Sequence, residues 1–388
     1  MISRVLFLEI GGRMFPITSG HIHLPSVTEI SGFSADDAIP GESATIVTRD
    51  ILTSESDSFF AIVDHSFGLF FGTSCLPQLV SNFLVVVHAD NSADAYVNDF
   101  TVAVELRTKQ DVAAMTPFGK KAVADIQNIR FDGIKIESSD QMFVCLKSGW
   151  RFLLAYDLGR DCDIARMGRE LARVYRYLLF REEYSILENG PLFNTLIDHG
   201  WFPFTEMIGS DFKKLETAYR YLDELEKYSA YMKDILSAFD KSRLEQLMGY
   251  WWRYEIFAQK KDLLLEAVDA FLNGRPISCI KILYSEIEGI LRILYHKELG
   301  RRPSFENLQE YLKVKALEKY KDPSSLGFPG MFAEYLSKTI FATFDLESGQ
   351  IPLSRHSAEH GVAAPALYDQ ERALQALLIL DQIRFYLF

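Results

Sequence analysis

A change of hydrophobic pattern near residue 160 constrains the fold of this chain more than any other feature. Before it, short runs of β-branched and aromatic residues alternate with breaks that contain Pro or Gly, as in residues 83–88 and 101–107. After it, apolar residues recur at helical spacing, beginning with residues 164–187. Strands repeat every two residues and helices about every 3.6, so the two parts belong to different structural classes. We therefore predict an α+β protein with several domains.

The pattern divides the chain into three parts. Residues 1–160 are predicted to form a β-rich domain, either a sandwich or a barrel, residues 161–261 a helical middle region, and residues 262–388 an all-helical bundle. Strands are expected at residues 59–63, 69–72, 83–88, 101–107, 141–146 and 150–156, with one helix among them near residues 120–129. Helices are expected at residues 164–187, 212–239, 241–259, 262–272, 278–299, 305–314, 330–344 and 369–387.

Composition excludes several classes of protein. Apolar residues make up 48% of the 388 residues and charged residues 24%, which is typical of globular rather than disordered chains. The chain has 41 Lys and Arg residues against 53 Asp and Glu residues, a net charge of −12, which excludes a general nucleic-acid coat. Four cysteines without paired spacing suit a reducing cytoplasm, and no apolar run reaches the roughly 18 residues of a membrane span. We predict a cytoplasmic protein that does not contact a membrane.

One segment near the C-terminus, Pro-Leu-Ser-Arg-His-Ser-Ala-Glu-His-Gly, carries the densest set of reactive side chains. Ser354 is a suitable N-cap for a helix of one to two turns, and Gly361 is a suitable residue to end it. In such a helix His356 and His360 project from one face, with Arg355 beside them. A permanent cation would then lie next to two imidazoles that titrate near neutral pH.

These groups suit the metal-independent cleavage of RNA. The reaction needs a base for the 2′-hydroxyl, an acid for the leaving 5′-oxygen, and a fixed cation opposite the phosphorane. We assign His360 as acid or base, Arg355 as the cation, and His356 as the residue that orients the guanidinium or the phosphate. The alternative is an exposed polar turn. His21 and His23 are interpreted as a surface pair on a strand, and no three-residue metal set or phosphate-binding loop is found, so neither a metal nor a cofactor is expected.

The C-terminal third of the chain resembles the HEPN family (higher eukaryotes and prokaryotes nucleotide-binding domains). These all-helical domains carry an Arg-x4-6-His motif, usually with a polar residue directly after the arginine. Arg355 matches the arginine, His356 the polar residue and His360 the histidine. Apolar helices before and after the motif also match the family pattern, so the resemblance covers residues 262–388.

The resemblance implies an activity and partners. Many family members are ribonucleases of toxin–antitoxin or phage-defence systems, and they usually act as dimers with the two motifs facing across the interface. We therefore expect an endoribonuclease that acts on RNA as a toxin or abortive-infection effector, with an antitoxin or a phage-derived ligand as a further partner. The alternative is a non-catalytic HEPN-type module that binds nucleotides or proteins and carries a β-rich sensor domain.

Two carboxylates are candidates for supporting roles. Asp381 falls within an apolar stripe of the last helix, where a carboxylate must be paired. We expect it to pair with Arg355 or a histidine of the motif, the alternative being a hydrogen bond to a neighbouring Tyr or Gln. Glu286 lies among isoleucines of a long helix and is the second candidate. Glu288, in contrast, is interpreted as the partner of Arg292 in a solvated or interface ion pair.

The last helix also bears on assembly. Its apolar residues wrap around more of the circumference than one core contact needs. We therefore expect a homodimer whose interface includes residues 355–360 and part of the helix at residues 278–299 or of the last helix. The alternative is that the helices of residues 164–259 cover the second apolar face within one chain.

Overall fold

Thirteen α-helices and several small sheets make up the part of the chain that is described. The computed structural model describes residues 7–10, 13–16, 20–24, 34–35, 40, 46–47, 51–53, 82–146, 152–156, 164–345 and 351–388. The described strands precede residue 160 and the described α-helices follow it, so the predicted mixed α and β class is confirmed. The described residues form two compact units, one within residues 1–105 and 128–179 and the other within residues 106–127 and 180–388.

The first unit is built on a six-stranded antiparallel sheet. In chain order the strands are β1 (Phe7–Ile10), β2 (Arg13–Pro16), β3 (Gly20–Leu24), β4 (Ser34–Ala35), β5 (Ile46–Val47), β6 (Ile51–Thr53), β7 (Asn82–Val87), β8 (Ala93–Val97), β9 (Thr101–Thr108), β10 (Val123–Asp132), β11 (Gln141–Leu146) and β12 (Phe152–Tyr156). The large sheet has the order β3-β8-β7-β11-β12-β6, and the remaining strands form three pairs. A sandwich or barrel stays a prediction, since the described strands show one open sheet and small pairs.

The strands predicted at residues 83–88, 101–107 and 141–146 are confirmed as β7, β9 and β11. Those predicted at residues 59–63 and 69–72 lie outside the described residues. The helix predicted near residues 120–129 is wrong, because only a single 3-10 turn precedes strand β10 there. In the second half of β10, buried and exposed side chains alternate, which is the period of a strand.

The described α-helices all begin at or after residue 164. They are α1 (Ile164–Leu179), α2 (Arg181–Glu188), α3 (Gly190–Asp198), α4 (Ser210–Arg220), α5 (Leu225–Ala238), α6 (Lys241–Trp251), α7 (Glu255–Ala258), α8 (Lys261–Leu272), α9 (Pro276–Leu299), α10 (Phe305–Tyr320), α11 (Pro329–Lys338), α12 (Arg355–Glu359) and α13 (Gln370–Leu387). Helix α1 belongs to the first unit and the others to the second.

The three long helices predicted between residues 164 and 259 are each divided in two. The first break falls at Phe180, whose side chain is completely buried, so packing rather than helical propensity decides the chain direction there. Helix α9 ends as predicted at Leu299, and the next residue, Gly300, has a φ of 68° in the left-handed region that favours glycine. The helix begins at Pro276, two residues before the predicted start, because a proline at the first helical position gives up no hydrogen bond.

The last helix, α13, is the centre of the second unit. Every residue from Ala373 to Tyr386 is buried, and the helix packs against α5, α6, α8, α9 and α10 of the same chain. Its second apolar face is therefore covered within one chain, and the dimer argument drawn from its circumference is wrong. No helix in the described ranges is long and apolar enough to cross a membrane.

Candidate functional site

Helix α12 presents the Arg-x4-His motif and is held by its own serines. Ser354 is the N-cap, and its hydroxyl accepts a hydrogen bond from the backbone N–H of Ser357 at 3.3 Å. The Ser357 hydroxyl in turn accepts from the backbone N–H of Ser354 at 2.9 Å and donates to the carbonyl of Pro352 at 2.6 Å. Gly361, with a φ of 69°, follows the helix. The predicted short helix and its two caps are confirmed, and the reciprocal serine bonds fix its orientation.

Arg355 is tied to the long helix α9 and to its own helix. Its Nε forms an ion pair with the Glu288 carboxylate, and its Nη2 lies 2.7 Å from Glu359 Oε2. Its backbone N–H donates to the carbonyl of Ile340 at 2.9 Å. The side chain keeps 24% of its surface exposed. Two guanidinium nitrogens thus lie within ion-pair distance of carboxylates, Nε without a hydrogen bond among the described residues, while part of the group remains open to solvent.

Glu288 is the functional-site residue that the sequence interpretation missed. It forms the expected ion pair with Arg292, so that pairing is confirmed, but its side chain is only 5% exposed and is not solvated. One buried carboxylate therefore bridges two guanidiniums, from Arg292 and Arg355. The sequence indicates this burial, since Ile287 precedes the glutamate and Leu291 lies three residues after it, on neighbouring positions of the same helix. Burial of a carboxylate costs free energy, which pairing with a cation offsets.

The two motif histidines lie against one another. Their ring centroids are 4.5 Å apart, and the Phe344 ring lies 4.9 Å from His356 and 6.3 Å from His360. Within the described ranges neither imidazole has a hydrogen-bond partner. His360 is exposed and His356 half-buried. Both rings therefore retain nitrogens that can form hydrogen bonds with a bound molecule.

The charges around the motif balance. Two guanidiniums, of Arg292 and Arg355, face two carboxylates, of Glu288 and Glu359, and Glu359 also accepts a hydrogen bond from the Ser285 hydroxyl at 3.1 Å. The fixed charged side chains of α12 and α9 therefore pair with one another.

The prediction that Asp381 pairs with Arg355 or a motif histidine is wrong. The Asp381 carboxylate accepts hydrogen bonds from the indole N–H of Trp251 at 2.9 Å and from Arg384 Nε at 2.8 Å. The expectation that a carboxylate on this helix needs a partner was sound, but Arg384, three residues along the same helix, provides it. Asp381 is completely enclosed and belongs to the core of the second unit.

Glu286 is placed away from the motif side chains. Its carboxylate forms an ion pair with Lys260, in the turn before α8. No contact among the described residues joins Glu286 to the motif, so its predicted supporting role has no structural basis there. Glu288, about half a helical turn further on, makes the ion pair with Arg355 instead. The described part of the chain contains no group of three or more His, Cys, Asp or Glu side chains that could hold a metal ion.

Comparison of the chain with models of protein families, with curated proteins and with solved structures finds no match in any of the three. The resemblance to HEPN domains therefore rests on the motif residues and their helical context. The geometry of Arg355, His356 and His360 carries the functional argument that follows.

Proposed function

We propose that this chain is an endoribonuclease that cleaves RNA through Arg355, His360 and His356 without a metal ion. The observation that carries the proposal is that one short, doubly capped helix places a fixed guanidinium beside two adjacent imidazoles. Imidazoles that are at least partly exposed suit proton transfer, and a guanidinium held near them suits a developing phosphorane charge. The proposed setting is cytoplasmic, as a toxin or abortive-infection effector.

The proposed reaction is an attack of the 2′-hydroxyl on the adjacent phosphorus. A neutral imidazole takes the hydroxyl proton, the bond from the 2′-oxygen to phosphorus forms, and the bond to the 5′-oxygen breaks. A protonated imidazole gives its proton to the leaving 5′-oxygen, so the products are a 2′,3′-cyclic phosphate and a 5′-hydroxyl. Carboxylates engage Nε and Nη2 of Arg355, which leaves Nη1 to face a phosphate oxygen.

A homodimer is part of this proposal. Displacement at phosphorus places the attacking and leaving oxygens roughly in line, on opposite sides of the phosphate. His356 and His360 lie next to one another, so within one chain they approach a phosphate from the same side. A second copy related by a two-fold axis supplies the other side. On α9 the apolar side chain of Ile293 is 47% exposed, which suits such a contact.

The test compares purified proteins on a fluorescently labelled RNA and, in parallel, cell growth on induction. Arg355→Ala and His360→Ala should each abolish cleavage and toxicity. Arg275→Ala and His296→Ala are the matched controls, because both residues are exposed and lie outside the motif. Equal growth of cells that express the wild type and the two motif variants at verified, equal levels would contradict the proposal.

The second candidate function is a non-catalytic HEPN-type module that binds nucleotides or proteins. It is favoured by one observation, that Arg355 is already paired with Glu288 and Glu359, as a purely structural arginine would be. In this case the β-rich first unit, with the proposed sandwich or barrel, would sense a partner such as an antitoxin or a phage-derived ligand. Binding of RNA or nucleotide without cleavage, unchanged in His360→Ala, would support this function over the first.

A further inference from the structure

A polar cavity of about 230 Å³ lies within the second unit, apart from the motif. Its wall is formed by Lys109 and Lys121, by the segment that leads into α4, and by one face of α6. Neither Arg355 nor the motif histidines line it. The nuclease proposal makes no use of this cavity, and the question is what its side chains could hold.

The charges of the wall are unevenly matched. Arg243 on α6 neutralises carboxylates from two sides, with Glu206 at 3.0 Å and Asp211 at 2.8 Å, while its guanidinium lies over the Phe239 ring at 3.8 Å. Burial raises the pKa of Glu206, which favours its neutral form. Both wall carboxylates lie within ion-pair distance of Arg243, and neither lies within that distance of Lys109 or Lys121.

Lys109 is the least satisfied of these groups. Its ammonium donates to the carbonyl of Ile208 at 2.6 Å, and no carboxylate of the described residues lies within ion-pair distance of it. An ammonium has three donors, so two remain for the cavity. Burial lowers the pKa of Lys109 to about 8 and outweighs the attraction of Glu206 and other nearby carboxylates, which raises it. Lys121 also lacks an ion-pair partner in the described part of the chain.

Two neutral donors complete the wall. The Tyr250 hydroxyl accepts a hydrogen bond from the Gln246 amide at 3.1 Å, so its own proton is free to be donated. Both residues line the cavity. The volume is smaller than the roughly 300 Å³ at which pockets for drug-sized ligands begin. The space therefore suits a compact group with several acceptor oxygens rather than a nucleotide base.

We propose that this cavity binds a phosphate group, either inorganic phosphate or that of a small phosphate monoester, with Lys109 and Lys121 as its cationic contacts and Tyr250 as a neutral donor. A phosphate dianion matches two unpaired lysines in charge and offers acceptors to all three donors. Bound phosphate supplies the direct ion-pair contact that Lys109 lacks among the described residues. The site does not depend on the nuclease proposal, and its binding is measured without RNA.

The test is titration calorimetry of the full chain at pH 7 and constant ionic strength, with inorganic phosphate in one arm and glycerol 3-phosphate in the other. Saturable binding at one site per chain is expected in at least one arm, and the stronger arm identifies the source of the phosphate. Lys109→Met and Lys121→Met should each weaken binding by about tenfold or more, the effect of losing one charge-assisted hydrogen bond. Because Lys121 is exposed, its substitution leaves the fold intact.

The matched control is Lys319→Met. Burial lowers the pKa of Lys319 to about 8 as well, but this lysine does not line the cavity. Its substitution should leave phosphate affinity unchanged. Wild-type affinity should also fall as the pH rises above 8, because Lys109 then loses its charge. Absence of saturable binding in both arms, or equal weakening by Lys319→Met, would overturn the proposal.

Discussion

Arg355 and Glu288 form the ion pair that joins the short motif helix to the long helix α9. The carboxylate is almost completely buried and also holds Arg292 from its own helix. Glu288 therefore fixes the direction of the guanidinium that the proposed reaction needs. A group that fixes a catalytic cation acts on the rate through position, without touching the substrate.

Glu288→Gln should lower the stability of the protein and slow the proposed cleavage. The amide keeps the shape of the side chain but removes the charge that pairs with two guanidiniums. We expect a loss of about 2 kcal/mol in the free energy of unfolding, the typical value of a hydrogen bond to a charged group. We also expect a fall in kcat with little change in KM. Urea unfolding and steady-state kinetics measure the two effects.

Glu286→Gln is the matched control for that substitution. Glu286 is a glutamate of the same helix, and it is also ion-paired, but with Lys260 rather than with the motif. Its loss should reduce stability without reducing kcat per folded molecule. A similar fall in kcat per folded molecule for both variants would contradict a specific positioning role of Glu288.

Asp381→Asn should destabilise the second unit strongly and leave the motif chemistry unchanged. The asparagine oxygen can still accept from the Trp251 indole, but the buried guanidinium of Arg384 loses its countercharge. Removal of one partner of a buried ion pair costs about 3 kcal/mol. Urea unfolding should show this loss, whereas the cleavage rate per folded molecule should stay within experimental error. A specific loss of cleavage in a stable Asp381→Asn protein would restore the role that the sequence suggested.

The sequence predicted the helical motif better than its environment. The caps at Ser354 and Gly361 are local, so three or four neighbouring residues suffice to predict them. The partner of Arg355 is not local, because Glu288 lies far away in sequence and is brought near by the packing of α12 on α9. Asp381 illustrates the opposite case. Its carboxylate pairs with Arg384, three residues along the same helix, whereas the sequence argument predicted a partner in the distant motif.

The same distinction explains the β10 segment. Residues 120–129 contain lysines and alanines that favour a helix in isolation, whereas pairing with β9 extends the chain as a strand. Propensity is a weak guide where such long-range pairing competes with it. Closure of a sheet into a sandwich or barrel likewise depends on contacts between strands that are distant in sequence, which local propensity does not predict.

The first unit should be most stable between about pH 4 and pH 6.5. Burial disfavours charged Asp94, but hydrogen bonds from His88, His23 and His21 outweigh it and lower the pKa of this carboxyl to about 2. This contribution is complete above the ordinary value of 3.8 and is lost as the pH falls toward 2. Burial also disfavours charged His88, but its bonds to Asp94 and Asp140 raise its pKa above 6.5. That contribution is complete below pH 6.5 and is lost as the pH rises through the raised value.

His88→Gln should remove the upper part of this pH dependence. The amide can bond to one carboxylate but carries no charge to lose, so the stability of the variant should be nearly flat between pH 6 and pH 8. Thermal unfolding over this range, with hydrogen exchange of peptides that cover β7 and β8, distinguishes the first unit from the second. A wild type whose β7 and β8 protection rises across the same range would refute the assignment.

Cleavage should persist in the presence of a chelator. The proposed mechanism uses Arg355 and two imidazoles for every charge and proton that the reaction moves, so ethylenediaminetetraacetate should leave the rate within about twofold. The products should carry 2′,3′-cyclic phosphate ends, detected by mass spectrometry. An RNA with a 2′-deoxy sugar at the scissile position should resist cleavage. Loss of activity in chelator that magnesium restores would be incompatible with this mechanism.

The composite site should be revealed by mixing two inactive proteins. In a heterodimer of Arg355→Ala and His360→Ala chains, one intact guanidinium and one intact His360 face each other across the two-fold axis. Each homodimeric variant lacks one of these groups altogether. If catalysis uses groups from both copies, mixing should restore part of the activity, and light scattering at micromolar concentration should show a dimer. Ile293→Asp, at an exposed position of α9, should shift the protein toward monomer and reduce cleavage in parallel. A strictly monomeric protein that still cleaves RNA would rule out the shared site while leaving the motif itself active.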